Sequence, residues 1–383
     1  MRRLLFALVC LPVIAIAADT EPRARDLGIP FEGTPGSFNA ITDVEGVTVG
    51  FESIIADLPG NKAVRTGVTA ILPRGVESND QPVFGGWFSL NGNGGMTGTT
   101  WVEESGFIEG PIMITNTHSV GAVHEGVIRW RYERGAADSS GYWWSLPVVA
   151  ETWDGYLNDI NGFHVRPEHA FAALNAAKGG PVAEGNVGGG TAMKCFDYKC
   201  GTGTSSRVTD AAGSEYTVGV LVQANFGDRD QLLVAGIPVG KQLSDNMVYL
   251  DEESAPYEVG SIIIVVGTDA PLLPHQLKRL TRRAALGLSR TGSYAGNGSG
   301  DIFIAFSTAN EQANQSNSDA NLQALANEDM NPLFIATIQA TEEAIMNALI
   351  AGRDMTGNRG NTVNAIDHER LRSLLREHNR LVE

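Results

Sequence analysis

Cysteine is scarce, with three residues in 383, at positions 10, 195 and 200. Cys195 and Cys200, in KCFDYKC, have no second ligand pair at a matching spacing, so they read as a small disulfide-closed loop or as two free thiols rather than a zinc site. Histidine is sparse too, seven in all, and His124-Glu125 lacks the second histidine that a metalloprotease helix carries one turn on. No serine stands in a Gly-x-Ser-x-Gly elbow, which weighs against an α/β-hydrolase. The glycine clusters NGNGGMTG at 91–98 and GNVGGGTAMK at 185–194 lack the Gly-Lys-Ser/Thr ending of a phosphate loop, and neither matches the dinucleotide fingerprint. Positive charge is in deficit, 28 Lys and Arg against 44 Asp and Glu for a net charge of -16, which disfavours nucleic acid as a partner.

Long apolar runs are confined to one place. Arg2 and Arg3 precede an apolar stretch at 4–16, which ends in Ala15-Ile16-Ala17, a small-x-small cleavage signal. The stretch is interrupted by Pro12 and falls short of the roughly 20 residues that a bilayer requires. The expectation is a signal peptide over residues 1–17 and export to the periplasm or beyond, with no membrane attachment after its removal. Cys10 leaves with it, and the loss of Arg2 and Arg3 takes the net charge to -18.

What is abundant is glycine, 45 residues, set among short β-branched runs. GVTAIL at 67–72, PIMIT at 111–115, YTVGVLVQ at 216–223, SIIIVV at 261–266 and DIFIAF at 301–306 read as strands, several so apolar that both faces must be covered. A helix starts at Pro274 and carries Leu277, Leu280, Ala284 and Leu288 on one face, with Lys278, Arg279, Arg282 and Arg283 as a solvated or charge-paired face. Further helices are expected over 332–351 and 368–377, and residues 310–331, rich in Asn and Gln, read as a surface loop. No linker or repeat divides the chain, so residues 18–383 are expected to form one α/β domain with helix-covered sheets.

Five Gly-Ser pairs occur, and context separates them. Only Gly298-Ser299 follows a flexible run, GSYAGNG at 292–298, and leads directly into a buried strand. A rigid element then holds the serine while the preceding peptide stays deformable. That arrangement suits attack of the serine hydroxyl on the carbonyl before it, followed by hydrolysis of the resulting ester. The new chain would begin at Ser299, and its α-amine, with a reference pKa of about 7.7, could serve as base for its own hydroxyl. On local pattern alone, a turn glycine followed by a strand-capping serine is the favoured account of the pair.

Several stretches together resemble one family, the self-processing aminopeptidases that include the L-aminopeptidase/D-esterase-amidases and the β-peptidyl aminopeptidases, the DmpA-like peptidases. They are GIPFEGTPGSFNAITDVEGVTVG (28–50), FSLNGNGGMTG (88–98), ITNTHSVGAVHEG (114–126), LPVVAETWDGYLND (146–159), GNVGGGTAMKCF (185–196), VGVLVQANFG (218–227), GTDAPLLPHQLKRL (267–280), NGSGDIFIAFSTAN (297–310) and ATEEAIMNAL (340–349). The resemblance implies an αββα sandwich like that of N-terminal-nucleophile hydrolases but with different connectivity. It also implies self-cleavage at Gly298-Ser299 into chains 18–298 and 299–383, which remain in one fold, and a homotetramer of such processed units.

By the same resemblance Ser299 is the nucleophile, and Asn225 donates to the oxyanion, a kind of contact whose loss typically costs 100-fold or more. Glu151 would pair with the substrate's free amino group, in a pocket lined by Trp153 and Tyr156, with Asn91 and Asn93 contributing to the cleft. A hydroxyl and a carboxylate on the helix at 340–349 are expected to orient the nucleophile. Thr341 with Glu343 has the family's spacing, and Glu342 is the competing choice. The activity implied is removal of N-terminal residues from small peptides, amides or esters, including β-peptides, without metal or organic cofactor. An acyltransferase using an amine acceptor on the same fold is the alternative, and a binding protein on a decayed peptidase scaffold is a third reading.

Overall fold

Alternation and apolar runs become strands in the computed structural model, which describes residues 22–78, 80–137, 139–248, 259–314 and 319–382. The strands are β1 (Thr48–Leu58), β2 (Lys62–Leu72), β3 (Val83–Ser89), β4 (Phe107–Ile108), β5 (Ile112–Asn116), β6 (Val148–Thr152), β7 (Lys194–Cys195), β8 (Tyr198–Lys199), β9 (Thr202–Ala211), β10 (Ser214–Asn225), β11 (Val259–Thr268), β12 (Gly298–Ser307), β13 (Met355–Thr356) and β14 (Thr362–Val363). The α-helices are α1 (Thr99–Ser105), α2 (Val120–Glu133), α3 (Pro167–Asn175), α4 (Pro274–Arg290), α5 (Asn331–Ile350) and α6 (His368–Glu377). Every strand and helix expected from the sequence is present. The signal-peptide reading, with Arg2, Arg3 and Cys10, lies outside the described residues, as do residues 315–318 of the Asn/Gln-rich loop. Residues 319–324 of that loop are exposed.

Two sheets stack. One has the order β1-β2-β5-β6 and the other β4-β3-β12-β11-β10-β9. Between them Ile114 and Ala150 of the first sheet meet Leu221, Ile263, Val265, Ile302 and Ile304 of the second. On the outer face of the first sheet, Val68, Ala70 and Met113 pack against Val123, Val127 and Trp130 of α2 and Ala170 and Leu174 of α3. On the outer face of the second, Val222, Ile264 and Phe303 pack against Leu277, Leu280 and Ala284 of α4 and Leu333, Ala340 and Ala344 of α5. The result is a four-layer αββα sandwich, as expected. It explains why β11 and β12 are apolar at successive positions: each face of the strand meets a different core.

α4 shows how local chemistry sets a helix. Pro274 occupies the first turn, where its missing N–H costs nothing, and the Gln276 side chain accepts the Leu273 N–H at 3.0 Å. Leu277, Leu280, Ala284 and Leu288 are buried, whereas Lys278 pairs with Glu103 and the Arg283 guanidinium lies over the Phe334 ring. Parallel pairing of β11 with β12, joined through α4, sets Gly260 beside Ser299 and Ser261 beside Gly300. Cys195 and Cys200 are disulfide-bonded across the β7–β8 hairpin.

Candidate active site

The N-terminal end of β12 meets the C-terminal end of β10 at a cleft of about 500 Å³. Gly298 lines it, with Gly260 and Ser261 from β11, Asn225 from β10 and Glu151 from β6. Side chains alternate along β12, so Ser299 and Asp301 share the face of Phe303 and point away from the opposing sheet. Ser299 is fully buried, and its hydroxyl donates to Asp301 Oδ1 at 2.7 Å. In the uncut chain Ser299, the expected nucleophile, therefore sits behind the Gly298-Ser299 peptide bond.

That peptide bond is held closely. Residues 296–299 form a tight turn in which the Ser299 N–H donates to the Gly296 carbonyl at 2.9 Å. The Asn93 side-chain amide donates to the Gly298 carbonyl at 2.7 Å. Asn91 clamps the following carboxylate, donating to Asp301 Oδ2 at 2.9 Å and accepting the Asp301 N–H at 2.6 Å. Burial raises the Asp301 carboxyl above the usual carboxylate range, although the Ser299 hydroxyl, Asn91 and the Ile262 N–H all favour its charged form.

Across the cleft, Glu151 is buried on β6. The Gly95 N–H donates to its Oε1 at 2.7 Å and the Thr117 hydroxyl to its Oε2, so its carboxylate is fixed yet keeps acceptor capacity. Asn225 ends β10, its Oδ1 accepting the Lys194 N–H at 3.1 Å and its amide donating to the Trp153 carbonyl at 2.9 Å. The indole of Trp153, 45% exposed, forms part of the cleft wall. Beneath this wall Asp154 is buried with Asn158, Thr66 and Asn116, and burial lifts its carboxyl to about 7 against those hydrogen bonds.

The structure thus brings Gly298, Ser299, Asn93, Glu151, Trp153 and Asn225 together. It places four other expected site residues elsewhere. Tyr156 turns toward Leu157 and Val363, its hydroxyl reaching the Val248 carbonyl, because the chain reverses direction after Asp154. Thr341, Glu342 and Glu343 lie on α5, which covers β9 and β10 rather than β12. The Thr341 hydroxyl donates to the Thr337 carbonyl one turn back, and its side chain packs against Gly287 of α4. Glu342 pairs with Arg290 near the surface. Glu343 is fully buried, accepting from Arg25, Arg207 and Asn39 at 2.6–2.8 Å. Burial alone would raise its carboxyl, but the Arg25 hydrogen bonds and the charges of Arg207 and Arg25 bring it below the ordinary value. Asn91 reaches the site through Asp301 rather than through the cleft wall.

Asp301, Thr117, Gly260, Ser261 and Lys194 were not singled out from the sequence. Asp301 had a readable signal, a charged residue two positions after the serine at the head of an apolar strand, where period two puts both on one face. Among the described residues no cluster of three His, Cys, Asp or Glu side chains could hold a metal ion.

This architecture and cleft recur in known proteins. The model of peptidase family S58 matches residues 39–363. The chain belongs to peptidase family S58. Relatives within its range include the β-peptidyl aminopeptidase BapA of Sphingosinicella microcystinivorans, 52% identical over 98% of this chain and 97% of that protein. The enzyme of the same name from Sphingosinicella xenopeptidilytica is 46% identical over 97% and 95% of the two chains. Among solved structures, the L-aminopeptidase D-Ala-esterase/amidase of Ochrobactrum anthropi, described as a variant of the Ntn hydrolase fold, superposes with a TM-score of 0.88. It is 49% identical, over 94% of this chain and 100% of that one. As an S58 peptidase the protein is a hydrolase, and the peptidase reading stands over the acyltransferase alternative.

Proposed function

We propose that this S58 peptidase cleaves its own chain at Gly298-Ser299 and then acts as a serine aminopeptidase on short peptides, amides and esters, with β-amino-acid residues as its favoured acyl group. The observation that carries the reading is the meeting in one cleft of the Gly298 peptide, with Ser299 poised behind it, and the buried Glu151 carboxylate. A carboxylate with its own donors in place recognises a free ammonium, which restricts binding to substrates with an unblocked amine. The two Sphingosinicella relatives, named as β-peptidyl aminopeptidases, support the substrate class.

In turnover, the freed α-amine of Ser299 takes the proton from its own hydroxyl as Oγ bonds to the substrate carbonyl carbon. The Asn225 amide donates to the oxyanion, and the amine returns the proton to the leaving nitrogen as the amide bond breaks. Water then hydrolyses the ester. Two further parts of the proposal are export after removal of residues 1–17 and assembly of processed units into a tetramer. Intact mass and sizing by light scattering test them: a chain that retains residue 1 refutes export, and a monomer refutes assembly. For the activity, a short peptide with a free N-terminal β-residue should be hydrolysed while its N-acetylated form is not. Equal turnover of both forms would overturn the role of Glu151.

A further inference from the structure

We propose that Asn93 and Asp301 are the catalytic residues of self-cleavage, Asp301 as base for the Ser299 hydroxyl and Asn93 as donor to the Gly298 carbonyl. This rests on the reading of Gly298-Ser299 as the scissile bond. Both contacts are made in the uncut chain, one to the attacking atom and one to the oxygen on which charge must develop: Asp301 Oδ1 lies 2.7 Å from Ser299 Oγ, and Asn93 Nδ2 lies 2.7 Å from the Gly298 oxygen. Before cleavage the α-amine of Ser299 does not exist, so the base of turnover cannot serve here, and a separate base is a chemical requirement. Asp301 is the carboxylate in reach, and it is fully buried, where a carboxylate is a stronger base than in water. Asn91 is the positioning residue: it ties Asp301 to the turn by donating to both Asp301 Oδ2 and, at 3.3 Å, the Gly296 carbonyl.

The step balances within the chain. Asp301 takes the proton from Ser299 Oγ as Oγ bonds to the Gly298 carbonyl carbon, and the negative charge that develops on the carbonyl oxygen falls on the Asn93 amide. The Asp301 proton passes to the Ser299 nitrogen, the C–N bond breaks, and an ester with a free α-amine remains. Hydrolysis of that ester leaves the Gly298 carboxylate and restores the Ser299 hydroxyl.

The test is the rate of conversion of full-length precursor to two chains, followed on denaturing gels, for wild type, Ser299→Ala, Asn93→Ala and Asp301→Asn. Asn93 is exposed, so its truncation should leave the melting temperature unchanged while slowing cleavage about 100-fold, the usual effect of removing an oxyanion donor. Asp301→Asn should slow cleavage at least as much. Wild-type cleavage should fall in acid as Asp301 takes up a proton, with a midpoint above the usual carboxylate range, and residual cleavage in Asp301→Asn should lose that dependence. Folded Asn93→Ala or Asp301→Asn protein that cuts at the wild-type rate would overturn the proposal. Ser299→Ala protein that still cuts would instead remove the reading on which it rests.

Discussion

Glu151 and Asn225 face the same cleft, but the proposed function gives them different work, and single substitutions should separate the two roles. Glu151→Gln keeps the shape and removes the charge that an ammonium requires. Its kcat/KM for free-amine substrates should fall about 100-fold, on the order of 3 kcal/mol, with the loss concentrated in KM. Asn225→Ala should instead lower kcat by 100-fold or more with little change in KM, because the oxyanion exists only in the transition state. Steady-state kinetics on one substrate distinguishes the two, and a matched fall in kcat for both would contradict the assignment. A third prediction concerns pH. With its carboxyl held at about 7 by burial, Asp154 keeps a proton in the folded chain that the unfolded chain releases near its ordinary 3.8. It therefore stabilises the fold fully below that window, and the contribution is lost as pH rises toward about 7. Asp154→Asn cannot titrate, so its stability relative to wild type should rise by a few kcal/mol, an order-of-magnitude figure, between about pH 4 and pH 8. Melting curves that stay parallel across that range would refute this.

Among the elements, the NGNGG loop owes its position to the start of β12. A Cβ at Gly300 would lie 2.3 Å from the Asn93 carbonyl oxygen and 2.7 Å from the Gly94 Cα, both backbone atoms that cannot swing aside. Gly300→Ala should push the loop off the strand, detach Asn93 from the Gly298 carbonyl and slow self-cleavage at least about tenfold, with a stability cost of about 1–3 kcal/mol. A gel time course matching wild type would contradict it. α5 supplies the opposite case. Glu343→Gln leaves the buried Arg207 and the half-buried Arg25 without their anion, so it should cost about 3–5 kcal/mol of stability, yet the protein that folds should still cut itself. Folded but uncut Glu343→Gln would return Glu343 to the nucleophile. The sequence showed α4, α5, β11 and β12 because their apolar periods are strong, and it showed the Gly298-Ser299 junction because a glycine-rich run stops at a strand. It did not show α2, in which Gly121 and Gly126 lower helix propensity; Gly126 is there because a Cβ would press on Pro167 and Ala170 of α3. Nor could spacing on α5 reveal that Glu343 closes on Arg25, a partner 318 positions away, rather than on Ser299.

At the scale of the molecule, the cleft draws on seven separated stretches of chain: the NGNGG loop, the turn from Thr117 to Val120, β6 with Trp153, Lys194 on β7, the end of β10, the start of β11 and the start of β12. Family-like segments along the sequence marked all of these stretches except the start of β11, but only the stacking of the two sheets sets Glu151 opposite Gly298. The buried core on both faces of β12 keeps Ser299 in place while the turn before it is opened, so both chains are expected to stay in one fold after cleavage. Intact mass together with N-terminal sequencing of the purified protein tests this account most directly. It predicts two associated chains of roughly 30 and 9 kDa, in proportion to residues 18–298 and 299–383 of a 40.8 kDa whole, with the smaller beginning at Ser299. A single uncut chain with full aminopeptidase activity would contradict it.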